Sequence, residues 1–368
     1  MRVLHVLGEL RASGAEVMLR DAIPLFRSSA IEPVMLSTGD RIGDFAEQYV
    51  ASGVKVLHLP FERKSRYLSA FHRLVREEGV DVVHIHTERA NFVLGMAARA
   101  TRMPVVRTIH SVFAYEGRLK SQRRLERWLL RKIGIRHISI SASVEDNERK
   151  RLKNTTTRVD NWIGPDFRPP NSDERLASRA AYGVPEEAIV IATVGNCSEV
   201  KNHRAVLEAL GLLAGRVSQP LIYLHAGQSS METKERELAR NLHDSAETTK
   251  NQICFLGTVK DVRGLLWASD IYCMPSLYEG VGNAALEAIA CGVPVVLSRV
   301  PGLVDTAKPS AGVQFIEPTA TGVATGISTL IENLDAARAN LGEVADRVIA
   351  ERSAAEAVRK MIEIYHSV

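Results

Sequence analysis

Glu279 and Glu287 stand eight positions apart in Ser276-Leu-Tyr-Glu-Gly-Val-Gly-Asn-Ala-Ala-Leu-Glu287, a spacing that sets one acid before a helical pattern and one on its second turn. Two carboxylates so placed can address two parts of one ligand. Gly280 and Gly282 let the backbone bend tightly, and Asn283 opens a helix whose first amides can face a phosphate. Lys201, in Gly195-Asn-Cys-Ser-Glu-Val-Lys-Asn-His203, follows an apolar run and offers a point cation that could neutralise the same anion. Taken alone, two glutamates are a solvated turn and a lysine at a helix start is a surface charge. Their shared context, each at the end of a strand-like run, is what turns them into a site.

Those runs define the elements. Val3 to Leu7, Val34 to Leu36, Val54 to Leu59, Val82 to His86, Val105 to Ile109 and Ile138 to Ile140 alternate with helix-like segments, a pattern that predicts a parallel sheet covered on both faces. Ile189 to Val194, Leu221 to Ala226, Ile253 to Leu256, Ile271 to Met274, Val295 to Leu297 and Val313 to Ile316 repeat the scheme. Ala284, Ala285, Ala288 and Ala290 let the helix after Asn283 pack close to its sheet, and Gly292 caps it. A chain of 368 residues suits two domains, and the glycine and prolines of Asn161-Trp-Ile-Gly-Pro-Asp-Phe-Arg-Pro-Pro170 make a linker. The expected division is 1–165 and 166–349, followed by a helix over about 350–368.

Glu279-Gly-Val-Gly-Asn-Ala-Ala-Leu-Glu287 resembles the Glu-x7-Glu motif of the retaining nucleotide-sugar glycosyltransferases of family 4. The likeness runs over nearly the whole chain. Phe255-Leu-Gly-Thr-Val259, Leu265, Leu266, Ala268, Asp270 and Pro275-Ser276 follow the order of that family's donor-binding half, and Ser13-Gly-Ala-Glu16, His84-Ile-His86 and Thr108-Ile-His110 follow its first half. The resemblance implies an α/β GT-B architecture, in which two Rossmann-like domains with parallel sheets face each other across a cleft. The first would bind the acceptor, with the last helix packing back on it, and the second the donor.

The activity implied is transfer of a sugar from a nucleotide-diphosphate sugar, with a UDP-sugar favoured, to a hydroxyl with retention of configuration. The donor's own phosphate takes the acceptor proton, and the enzyme supports the departing diphosphate. By the same resemblance Glu279 lies under the transferred sugar, Lys201 meets the diphosphate and His110 reaches sugar hydroxyls or phosphate. Donor contacts fall to Glu287 at the ribose, to the backbone of Gly280, Val281, Gly282 and Asn283 at the distal phosphate, to Asn196 beside Lys201, to Thr258 and Val259 at the base, and to Gly14 from the first loop. His86 and Glu16 are secondary acceptor-side candidates; Glu16 equally suits a helix cap, and His84 a satisfied core imidazole. The family usually supplies an arginine near Asn196 or Ser198, and this chain has none. That departure keeps open a nucleotide-sugar-binding scaffold subunit, and an epimerase of the same architecture is the other alternative. The acceptor expected from the first-half motifs is a glycan, glycolipid or small-molecule hydroxyl, with a bacterial cell-surface intermediate or a natural product in view.

No Asp-x-Asp pair occurs, so no metal is expected in the chemistry and no cofactor beyond the co-substrate. Cys197, Cys254, Cys273 and Cys291 lack paired metal spacing and read as buried free thiols. The chain is 45% hydrophobic with no apolar run near twenty residues and no cleavage pattern at its start, which predicts a cytoplasmic protein. Its net charge of +4 is asymmetric: residues 1–168 carry 29 Lys/Arg against 19 Asp/Glu, and the rest 18 against 24. Much of the excess lies in 117–136, where Leu119, Leu125, Trp128, Leu129 and Ile133 interleave with cations. Peripheral contact with an anionic inner-membrane surface is one reading, and a solvated face with Trp128 turned into the core is the other. Nucleic acid is not an expected partner, given 5% aromatic residues and no recognition motif.

Overall fold

The fold is given by a computed structural model that describes residues 1–62, 65–228, 231–244 and 251–368. It divides into two compact units, Met1–Gly164 with Arg352–Val368, and Pro165–Glu351. Both are Rossmann-like, a parallel sheet alternating with helices.

In unit 1 the order is β1 (Arg2–Leu7), α1 (Gly14–Ser28), β2 (Glu32–Ser37), α2 (Ala46–Ala51), β3 (Lys55–His58), α3 (Ser65–Glu77), β4 (Val82–Ile85), α4 (Asn91–Ala100), β5 (Val105–Ile109), α5 (Gly117–Lys132), β6 (Arg136–Ser139), α6 (Ala142–Arg151) and β7 (Thr157–Arg158). The strands form one parallel sheet in the order β3-β2-β1-β4-β5-β6-β7. Because side chains alternate along a strand, Val3 and Leu7 of β1 face a core with Ile23 and Phe26, while Leu4 and Val6 face another with Phe71, Leu94 and Leu130. The first core is completed by Val358, Met361 and Tyr365 from a helix late in the chain.

Unit 2 contains α7 (Ser172–Ala181), β8 (Ile189–Val194), α8 (His203–Leu213), β9 (Leu221–Ala226), α9 (Glu232–Asp244), β10 (Gln252–Gly257), α10 (Arg263–Ala268), β11 (Ile271–Met274), α11 (Asn283–Ala290), β12 (Val295–Ser298), β13 (Val313–Ile316), α12 (Ala320–Glu332) and α13 (Leu334–Glu351). Its parallel sheet runs β10-β9-β8-β11-β12-β13. Ile191, Tyr223, Ile271 and Val296 pack under Val206, Leu210, Val323 and Ile327. The late helix α14 (Ala354–His366) belongs to unit 1, where it packs on α1.

One alternative from the basic segment is corrected. On α5 the buried positions are Arg127 and Leu130, and Trp128 is 47% exposed rather than turned into the core. Arg127 takes the buried face because its Nε donates to the buried Glu148 carboxylate at 2.7 Å, which compensates the guanidinium for leaving water. Cys254 also departs from expectation, being half-buried, whereas Cys197, Cys273 and Cys291 are buried; all are free thiols.

Candidate active site

In an open parallel sheet, ligands collect beyond the carboxyl ends of the strands where the strand order reverses. In unit 2 that point lies between β8 and β11, so the loops after them are neighbours. The first carries Lys201 and the second Glu279, and across the 78 residues between them Lys201 Nζ donates to Glu279 Oε1 at 2.6 Å. Ser276 Oγ donates to the same oxygen at 2.8 Å. Both members of the ion pair are partly buried, which weakens solvent screening and holds the pair in one place.

One backbone bond and the Asn202 side chain strap the two loops together. Leu277 N donates to Val200 O at 2.8 Å, and Asn202 Nδ2 donates to Pro275 O at 3.1 Å and to Pro318 O at 3.0 Å. Asn202 sits just before α8 with φ of 54°, a left-handed conformation that asparagine tolerates better than most residues. Two glycines are obligatory around Glu279. Gly302 has φ of +88°, and a Cβ there would stand 2.4 Å from Glu279 O; Gly282, at φ of +79°, would meet Leu303 Cδ2 at 2.4 Å. Gly282 is also the residue from which α11 starts, with Asn283 its first helical position.

The other donor-side candidates of unit 2 lie around this pair. Gly280 and Val281 are buried in the turn between Glu279 and α11, and Glu287 projects from α11 close enough to the buried Tyr272 to add to the effect of burial in pushing its phenol up. Asn196 is exposed on the loop after β8; Thr258 and Val259 come just after the end of β10, with Thr258 exposed.

Unit 1 gathers a different chemistry at its own reversal point, between β1 and β4. His5 Nδ1 lies 3.0 Å from His86 Nε2, and His86 Nδ1 lies 3.1 Å from His110 Nε2. His84 is held at both nitrogens, by Tyr365 OH at 2.6 Å and Thr108 Oγ1 at 2.7 Å, and is a satisfied core residue. Burial pulls His5 down to about 3 and His110, helped by the Arg107 charge, down to about 4; burial and the neighbouring imidazoles hold His84 and His86 well below the ordinary value. The line of imidazoles is therefore neutral at physiological pH. Its proton direction is set by His5, whose Nε2 is buried with no hydrogen-bond partner among the described residues. A stranded N–H costs more than a stranded lone pair, so His5 donates through Nδ1, His86 donates onward, and His110 carries its proton on Nδ1. Sequence reading missed this relay, because its members come from three strands.

Gly14 opens α1, and Glu16 one turn in is buried, accepts from Ser13 Oγ and is raised to about 6 by its burial. Beside His110, Glu88 takes ion pairs from the buried Arg107 and from Arg127 and a hydrogen bond from Tyr115 OH at 2.9 Å; burial raises its carboxyl, but these two cations hold it below the ordinary value.

Residues 12–160 match the profile described as Glycosyltransferase Family 4, and residues 174–348 match that of Glycosyl transferases group 1. The chain belongs to glycosyltransferase family 4. Among curated relatives, the D-inositol 3-phosphate glycosyltransferase of Saccharomonospora viridis is 30% identical over 288 residues, covering 69% of this chain and 66% of that protein. The UDP-Gal:alpha-D-GlcNAc-diphosphoundecaprenol alpha-1,3-galactosyltransferase of Escherichia coli is 26% identical over 249 residues, covering 64% and 62%. Among solved structures, HepE of Anabaena in complex with UDP-glucose shares the fold at a TM-score of 0.85 with 18% identity, covering 100% of both chains. This family 4 chain is thus a glycosyltransferase with the two-domain GT-B fold. Asn202, Ser276 and Gly302 join the site as residues to which the sequence reading assigned no role.

Proposed function

We propose that this glycosyltransferase is a retaining enzyme that moves a sugar from a UDP-sugar to a hydroxyl acceptor without a metal in the chemistry. The observation that carries the reading is the Lys201–Glu279 pair at the reversal point of unit 2. A cation already poised between two strand-end loops can exchange its carboxylate partner for a diphosphate as charge develops there, and Glu279 is then released to the sugar hydroxyls. Glu287 takes the ribose, the turn from Gly280 to Asn283 takes the distal phosphate at the start of α11, Asn196 flanks Lys201, and the strand end at Thr258 and Val259 takes the base. Lys201, with the helix amides, stands in for the absent arginine. In unit 1 Gly14 serves the donor phosphate, His110 gives a neutral N–H to a sugar hydroxyl or phosphate, and His86 and Glu16 serve the acceptor. The UDP-glucose bound by HepE supports the choice of base.

For the acceptor, a lipid-linked surface-glycan intermediate comes first, in line with the diphosphoundecaprenol substrate in the name of the Escherichia coli relative, and a small metabolite second. On α5, Leu125 and Trp128 are 56% and 47% exposed one helical turn apart, among cations, and form the patch that meets an anionic membrane surface. Among the described residues no helix is long and apolar enough to cross a membrane.

Calorimetric titration with UDP, GDP, ADP and dTDP, with and without magnesium, tests the donor site. Selective, magnesium-independent UDP binding that is lost in Lys201→Ala and Glu287→Ala is expected. Binding that needs magnesium overturns the metal-free chemistry, and absence of nucleotide binding overturns the donor site in favour of a scaffold subunit.

A further inference from the structure

Away from the ion pair, unit 2 buries four potential metal ligands in one place. Cys197 comes from the loop after β8, His203 from the first position of α8, His225 from β9 and Glu235 from the first turn of α9, and one ligand atom from each lies within 4.8 Å of all the others. All four are at most 6% exposed. Two of the separations are those of a tetrahedral shell. Cys197 Sγ is 3.3 Å from His225 Nε2 and His203 Nδ1 is 3.3 Å from Glu235 Oε1, against ligand-to-ligand distances of about 3.3–3.6 Å expected from zinc–nitrogen, zinc–oxygen and zinc–sulfur bond lengths.

The support around these atoms is that of a metal centre. Thr193 Oγ1, 2.6 Å from Tyr223 OH, lies 2.8 Å from His225 Nδ1, which orients the ring and turns Nε2 toward the cluster. Glu235 Oε2 is buried and, among the described residues, has no hydrogen-bond donor in sound geometry, although the Cys197 thiol is its neighbour. An oxygen so placed keeps a lone pair for a cation. One thiolate and one carboxylate balance a divalent charge, so the occupied site is neutral and suited to burial. The donor set of sulfur, two imidazoles and a carboxylate fits zinc better than magnesium or calcium. The histidines of unit 1 are a weaker candidate, because His84 and His86 are each engaged at both nitrogens and, among the described residues, only the Nε2 lone pair of His5 is left over, one ligand without a second.

We propose that Cys197, His203, His225 and Glu235 bind one structural zinc ion. The ion ties the loop that carries Asn196 and Lys201 to β9 and α9, and it takes no part in sugar transfer. This reverses what the cysteine spacing alone predicts, and it stands whether or not the nucleotide site is as described above, since metal content is read without nucleotide.

The test is metal analysis of the full chain purified without chelator, followed by cobalt titration of the stripped protein. About one equivalent of zinc per chain is expected, with a thiolate-to-cobalt charge-transfer band in the titration. Cys197→Ser should abolish that band, Glu235→Gln should weaken zinc binding by about 100-fold, and Cys254→Ser should leave both unchanged. Stripping should lower the melting temperature, and zinc but not magnesium should restore it. Failure of the wild-type chain to bind zinc or to give the cobalt band overturns the proposal without reference to any variant, as does a band that survives Cys197→Ser.

Discussion

The two units share a strand order at their centres and fill the carboxyl ends of their strands in opposite ways. Unit 2 places fixed charge there, a lysine on a glutamate, with glycines packed too closely against their neighbours to admit a Cβ. Unit 1 places a line of neutral imidazoles, each bonded to the next, that conveys direction without charge. One fold can therefore carry fixed charge or neutral hydrogen bonding at the ends of a few strands, according to the residues placed there.

The sharpest way to break this contrast is catalytic. Glu279→Ala should lower turnover by about 10²–10³ while UDP binding persists, because in the proposed reaction the carboxylate holds the hydroxyls of the sugar being transferred and not the nucleotide. His110→Ala removes a neutral donor and should cost only about tenfold. Equal losses in a direct assay of sugar transfer would erase the distinction.

Acid stability gives the next largest effect. Five imidazoles of unit 1, His5, His84, His86, His110 and His137, lie below the ordinary histidine value in the fold. In unit 2 the one such group among the described residues is His225. A depressed folded value means that the unfolded chain takes up the proton first. This stability is therefore complete above about pH 6.5 and is lost as pH falls toward the folded values, at about 1.4 kcal/mol per pH unit for each histidine. Glu16, raised to about 6, works the other way and offsets part of the loss. Urea titrations at about pH 7.5 and about pH 5, read at the buried Trp162 of unit 1 and at Trp267 of unit 2, should show unit 1 losing at least about 1.4 kcal/mol more. Parallel losses would show that the imidazoles do not set the difference.

The smallest effect concerns the surface. Replacing Leu125 and Trp128 by serine should weaken partition onto anionic vesicles by about tenfold and change folding stability by less than about 0.5 kcal/mol. Unchanged partition would remove α5 as a membrane contact.

Much of this was legible in the chain. The apolar runs coincide with twelve of the strands, since a buried parallel strand leaves a short β-branched run bounded by turns. β7 left no such trace, because Thr157 and Arg158 are both exposed and owe their strand to pairing with β6. The face of α5 was ambiguous in sequence because an amphipathic pattern counts Arg127 as polar, whereas Glu148 draws it inside. The Lys201–Glu279 contact and the four zinc ligands escape spacing rules for a common reason: their members are brought together by the order of strands in the sheet.

The placement of α14 has a consequence for synthesis. Unit 2 is a continuous stretch and can close as soon as it has emerged, but unit 1 lacks Val358, Met361 and Tyr365 until the whole of unit 2 has been made. The half that is translated first is thus the half that is finished last, and its nascent apolar face must wait for a helix delivered from the far side of another domain.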